Sequence, residues 1–146
     1  MNNIKYLFQF VFVIFMFLIF KIIGIKLGSF LGGRLFQIIG PLFRSKKLIH
    51  KNIKRALPNI NEKELKNIHN SMWDNYGRVF AEYMFMEKFR NDQLSKNIFI
   101  EGKEILHDII TNNQKVVFIS GHFSNFELMA MQIEKIGIKV AAIYRP

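Results

Sequence analysis

The start of the chain limits its fold more than any other feature. Residues 7–23 are apolar apart from Gln9 and Lys21, and 10–20 run without interruption through Phe, Val, Ile, Met and Leu. Counted over 4–25, the stretch approaches the roughly 20 residues that a helix needs to cross a bilayer, with Lys5 and Lys21 near enough to either end to snorkel. A cleaved signal peptide is the competing reading. Against it, the block is longer than a usual signal core, and Gly24-Ile25-Lys26 and Gly28-Ser29-Phe30 make poor cleavage sites. The sequence therefore predicts an uncleaved membrane anchor, followed in a 146-residue chain by one small domain.

Charge orients the anchor. Lys5 stands alone on one side, whereas Lys26, Arg34, Arg44, Lys46, Lys47, Lys51, Lys54 and Arg55 crowd the other, so the positive-inside rule places the C-terminal part in the cytoplasm. Between them, 28–43 mixes Gly28, Gly32, Gly33 and Gly40 with Leu, Phe and Ile before Pro41, which reads as a short interfacial helix or re-entrant turn on the bilayer. Residues 1–45 are accordingly an anchor and interfacial segment. The net charge of +10 suits anionic lipid, an acidic protein or nucleic acid. Most of the excess lies close to the anchor, where each basic group contributes about 1 kcal/mol at an anionic leaflet, so the membrane surface is the leading partner. Heavy use of Ile, Lys, Asn and Phe as coding bias discounts part of that signal. No aromatic-basic motif of the RNA-binding kind appears, and nucleic acid is not expected. The absence of cysteine fits a reducing compartment.

Beyond the anchor, Leu48, Ile49, Ile53 and Leu57 recur at helical spacing over 46–57, and Pro58 closes that element. Asn61 and Glu64 form a capping box that opens a helix running to about Met86, with an expected apolar face of Leu65, Ile68, Met72, Tyr76, Val79 or Phe80, and Tyr83. His50 and His69 read as surface residues. From Asn97 the period changes. Short strands are expected at 97–101, 116–120 and from 138 to Tyr144, with helices over 103–111 and 125–136 between them. That order predicts an α/β fold with a parallel βαβαβ sheet and right-handed crossovers. Ligands bind beyond the carboxyl ends of such strands, where Gly121-His122 and Tyr144-Arg145-Pro146 would fall.

The chemistry concentrates in Gly121-His122-Phe123-Ser124-Asn125-Phe126-Glu127, directly behind the β-rich run Lys115-Val116-Val117-Phe118-Ile119-Ser120. Five residues on one helix is about 500°, which would leave His122 and Glu127 on different faces, so His122 belongs to the turn and Glu127 to the first helical turn. There the positive end of the helix dipole favours the carboxylate, and its side chain can reach back toward the imidazole. The pair reads either as a general base with its orienting acid or as a capped structural histidine. A zinc site is not expected, since the pattern lacks His-Glu-x-x-His and the chain has no cysteine; neither Ser120 nor Ser124 sits in a Gly-x-Ser-x-Gly elbow.

Six blocks in order carry a resemblance that covers nearly the whole chain: the N-terminal anchor, Lys51-Asn52-Ile53 to Leu57-Pro58, Asn75-Tyr76-Gly77-Arg78 with Glu82, Ile100-Glu101-Gly102-Lys103-Glu104, the His122 to Glu127 block, and Tyr144-Arg145-Pro146. Together they resemble the late acyltransferases of lipid A biosynthesis, the lauroyl/myristoyl acyltransferases, within the glycerophosphate acyltransferase-like group. Where relatives usually have Gly-Asn-Trp-Glu after His-Phe, this chain has Ser124-Asn125-Phe126-Glu127, which keeps the imidazole and the acid. The resemblance implies a bacterial inner-membrane enzyme, with residues 46–146 the N-terminal part of its acyltransferase domain on the cytoplasmic side. It would move a fatty acyl group from acyl carrier protein to a hydroxyl of a lipid A precursor without cofactor or metal. His122 and Glu127 would be catalytic. Arg145 would bind a phosphate of the glycolipid or of the carrier's arm, with a plain surface arginine as its alternative, and Asn125 would contribute to the substrate site or cap the following helix. An acidic carrier protein suits the basic surface. The family fold continues past the point where this chain stops, so the expectation is a split or truncated reading frame that is inactive alone. Two other functions stay open: a phospholipid or lysophospholipid acyltransferase using acyl-CoA or acyl carrier protein, and a non-enzymatic, basic, membrane-anchored module.

Overall fold

The structure, a computed structural model, describes residues 2–143. It comprises two compact units, Met1–Phe85 and Met86–Pro146.

In the first unit the apolar run forms α1 (Asn2–Ile23), of which Ile4–Ile23 is long and apolar enough to cross a membrane. Gly24 follows with φ +82°, a backbone angle that side chains rarely tolerate, and α2 (Ile25–Phe43) begins at once. The expected interfacial segment is thus a full helix of 19 residues. Pro41 lies in its last turn, where it lacks the N–H that would bond the Gln37 carbonyl, and the helix ends two residues later. α3 (Lys46–Ala56) and α4 (Glu62–Glu82) follow, α3 ending just before Pro58 as expected. Asn61 caps α4: its Oδ1 accepts from the Glu64 backbone N–H at 2.9 Å.

α2 lies along α4, and the two helices meet through glycine. A Cβ on Gly32 would collide with the Gly77 carbonyl, and one on Gly77 with the Gly32 carbonyl, so the backbones themselves are in contact. A Cβ on Gly40 would enter the Trp73 indole. Around this crossing, Ser29 donates to Glu82 Oε1 at 3.0 Å, and Arg78 pairs with Asp74 at 2.5 Å one helical turn away. The Phe80 ring of α4 meets both α1 and α2, with centroids 4.9 Å from Phe17, 6.3 Å from Phe20 and 5.3 Å from Phe36.

This packing corrects the expected face of α4. Its buried positions are Leu65, His69, Trp73, Gly77 and Ala81, whereas Ile68 and Tyr76 are exposed. Hydrophobicity points to the largest apolar side chains, but a close helix crossing selects small ones, and so the helix is turned by about one residue, ~100°. His69, expected at the surface, is only 5% exposed and meets His50 of α3 edge-on at 5.1 Å between ring centroids. The helix also ends earlier than expected: Glu82 is followed by a 3₁₀ turn at Tyr83–Phe85.

The second unit holds α5 (Met86–Arg90), a 3₁₀ turn at Ser95–Asn97, α6 (Lys103–Thr111) and α7 (Glu127–Lys135). Phe89, Ile109, Met131 and Ile133 are its buried apolar residues. α5 and α7 are clasped by Arg90 to Glu134 at 2.8 Å, and by Lys135, which pairs with Asp92 and reaches the Phe89 carbonyl at 3.5 Å. α6 matches its expected bounds, and α7 is shorter at both ends.

The α/β expectation fails. Among the described residues there is no strand and no sheet, and therefore no parallel βαβαβ arrangement; the fold is all helical. The segments expected as strands are irregular chain at 98–100, 114–123 and 138–143. Several of their apolar side chains face outward, with Phe99 91% and Ile119 92% exposed. The physical reason is that a helix satisfies its backbone groups within its own segment, whereas a strand exists only when a neighbour supplies the other half of each hydrogen bond. A β-rich pattern records a preference for that pairing and does not provide the partner.

Candidate active site

The second unit carries the residues singled out by the sequence. The Phe123 N–H donates to the Gly121 carbonyl at 2.8 Å, closing a three-residue turn with His122 at its centre. A Cβ on Gly121 would meet the ring of Phe123, an exposed side chain free to swing aside. Ser124 then takes a left-handed backbone, φ 50°, before the chain enters α7. A Gly-His turn leading into a helix was the sequence expectation, and locally it holds even though the strand before it does not form.

His122 is exposed. Its ring packs edge-on against Phe126, 4.4 Å between centroids, a contact that limits its rotation. Glu127, half-buried, is the first residue of α7, where unpaired backbone N–H groups and the helix dipole favour a carboxylate. The two residues thus share one turn-helix unit.

Asn125 departs from its expected capping role. Phe126 occupies the N-cap of α7 without a side-chain cap, and the Asn125 amide instead donates to Met86 Sδ at 4.0 Å. It ties the turn to the start of α5. Arg145 lies outside the described residues, as do Tyr144 and Pro146. Their convergence with His122 at a sheet edge loses its basis with the sheet.

Each unit carries a concavity. One of about 480 Å³ belongs to the second unit and is lined by Ile98, Ile100, Leu106, Phe118, Leu128 and Ile133 among others. Leu128 and Phe118 of its wall flank the His122 to Glu127 stretch in sequence, but neither His122 nor Glu127 lines it. The other, about 540 Å³, is an open groove of the first unit between Ala56 and Ile68, and it holds neither His122 nor Glu127. Among the described residues no group of three or more His, Cys, Asp or Glu is placed to hold a metal.

Sequence reasoning missed the buried Ser29 and His69 of the first unit, and quoted the block around Gly77 without its packing role. The block Asn75-Tyr76-Gly77-Arg78 with Glu82 supplies the backbone contact, the Arg78 to Asp74 pair and the Ser29 to Glu82 hydrogen bond of the α2/α4 crossing. The available signal was the small-residue series in both segments, Gly28, Gly32 and Gly40 against Gly77 and Ala81. His69 gave no such signal.

The sequence profile described as bacterial lipid A biosynthesis acyltransferase matches residues 2–146. No curated protein and no solved structure matches the chain.

Proposed function

This chain belongs to the bacterial lipid A biosynthesis acyltransferase family, and on that premise we propose that His122 and Glu127 are the catalytic dyad of a transfer from acyl carrier protein to a lipid A precursor. The family is one of membrane-associated acyltransferases, and the chain carries a helix suited to a membrane. The single observation that supports the dyad is the turn at Gly121–Phe123, which holds an exposed imidazole just ahead of a carboxylate on the first residue of a helix.

The chemistry follows from those two groups. The His122 imidazole takes the proton of the acceptor hydroxyl as its oxygen attacks the thioester carbonyl. Glu127 holds the ring in the productive tautomer and stabilises the imidazolium, as the acid of a triad does. Collapse of the tetrahedral intermediate breaks the C–S bond, and the imidazolium returns its proton to the departing thiolate. The acceptor is itself the nucleophile, so no acyl-enzyme forms. Arg145 binds a phosphate of the glycolipid or of the carrier's phosphopantetheine arm, and Asn125 supports the turn. Residues 1–45 anchor the enzyme in the bacterial inner membrane, and the positive charge that follows α1 keeps residues 46–146 on the cytoplasmic side.

The test is acyl transfer in membranes that carry the protein at its full encoded length. His122→Ala and Glu127→Gln are each expected to lower turnover by about 100-fold or more at unchanged protein level. Transfer that survives His122→Ala would leave the histidine a structural cap. Supplying acyl-CoA in place of acyl carrier protein thioester, and a lysophospholipid in place of the lipid A precursor, separates the donor and acceptor alternatives.

A further inference from the structure

α1 is not a free stalk. Its C-terminal half packs on α4 through Phe17 and Phe20, the latter 1% exposed. Whatever surrounds α1 at that level therefore also meets the helix beside it. α2 has two opposed faces. Gly28, Gly32, Gly33 and Gly40 are turned into the unit, while Leu27, Phe30, Leu31, Ile38 and Leu42 form one outward face, with Ile38 75% and Leu42 84% exposed. The single charge on that face is Arg34, whose guanidinium sits 5.3 Å from the Phe30 ring centroid and donates to Gln37 at 3.0 Å, a posture that lets an arginine lie over apolar surface.

The charge distribution identifies the occupant. No Asp or Glu precedes Glu62, whereas ten Lys or Arg do, and Lys and Arg exactly offset Asp and Glu from there on; the whole excess of +10 belongs to the first 61 residues. An apolar face flanked by Lys26, Arg44, Lys46 and Lys47, joined to a helix long enough to span, has the chemistry that an anionic bilayer recognises. We propose that the outward face of α2 is sunk into an anionic leaflet, so that α1, α2 and the end of α4 enter the membrane as one packed wedge rather than as a single anchor. The bilayer then holds α4 through its glycine crossing with α2, in addition to tethering the chain by its end. This rests on the reading of α1 as a span.

The absence of cysteine makes each introduced one a single reporter. Leu31→Cys, Ile38→Cys and Leu42→Cys, with Leu18→Cys on α1 and Lys66→Cys on α4 as references, are labelled with an environment-sensitive fluorophore in the full chain. The labelled protein is reconstituted in vesicles of phosphatidylethanolamine and phosphatidylglycerol. Quenching by lipids spin-labelled in their acyl chains is expected to be several-fold stronger at 31, 38 and 42 than at 66, and to match position 18; aqueous iodide should show the reverse. Lipid quenching at 18 with iodide quenching at 31, 38 and 42 would overturn the wedge and leave the anchor standing. Shielding of those three from both quenchers would also overturn it, since protein would then cover the face. Iodide quenching at 18 as well would remove the span on which the inference rests.

Discussion

The two units are made of similar residues and use them differently. In the first, α2 and α4 bring two backbones together at Gly32 and Gly77 and bury Leu65, Trp73 and Ala81 behind that contact. In the second, α6 and α7 bury a few apolar residues, while Phe99, Val117 and Ile119 remain on irregular, exposed chain. Their contrast shows which kinds of sequence information act alone. A helical pattern brings its own hydrogen bonds and needs a neighbour only for its face, whereas a β-rich pattern needs a neighbour for its backbone as well.

Amide hydrogen exchange is the sharpest way to break this comparison, and it should show the largest effect. Backbone amides of 65–81 in α4 are expected to exchange orders of magnitude more slowly than those of 115–120. Comparable protection in 115–120 would mean that this segment is hydrogen-bonded after all. The glycine crossing comes next. Gly77→Leu, forced against the Gly32 carbonyl, is expected to cost about 3 kcal/mol or more in thermal unfolding in detergent. Gly28→Ala, whose Cβ would sit at an ordinary 3.5 Å from Phe20, is expected to be neutral or slightly stabilising. If both variants behave alike, backbone contact is not what holds the first unit together.

A smaller effect belongs to the start of α4. Asn61→Ala removes the side-chain acceptor of the Glu64 N–H, and the expected loss is about 1 kcal/mol by chemical denaturation. The smallest is a pH dependence. Burial, then the neighbouring His50 and Lys46, hold the His69 imidazole below its usual pKa of 6.5. Glu62, held low by its Lys54 partner with Oε1 2.5 Å from the ammonium, feels the charges of His50 and Lys46. Below about pH 6.5 the unfolded chain takes up a proton that the folded one resists, so stability is full above that value and falls as the pH drops toward the folded pKa. His69→Leu should flatten the decline in melting temperature between about pH 7.5 and 5.5. An unchanged decline would assign the dependence to other groups.

Sequence patterns located the helical elements well because helices are local. α1, α3, the Asn61 cap and the bounds of α6 were all legible in spacing and end signals. The turn at His122 was legible too, since Gly-His before a helical pattern limits the backbone within a few residues. Orientation was not. Nothing in the spacing of Ile68, Met72 and Tyr76 reveals that α4 turns them aside in favour of His69, Trp73 and Gly77, because that choice belongs to the close approach of α2. The same limit explains the missing sheet: alternation at 97–101 and the run at 116–120 express a preference that only a paired neighbour can satisfy.

By itself, the sequence determined an apolar helix at the N-terminus, the charge asymmetry behind it, the order of helices, and a turn carrying His122 ahead of Glu127. Only the tertiary structure decided which face of α4 is buried, that Asn125 turns to Met86 and does not cap α7, that glycine brings α2 against α4, and that the β-rich segments stay unpaired. The division follows from range. Interactions within one or two helical turns are written in neighbouring residues, whereas a crossing or a ladder depends on what a distant segment presents.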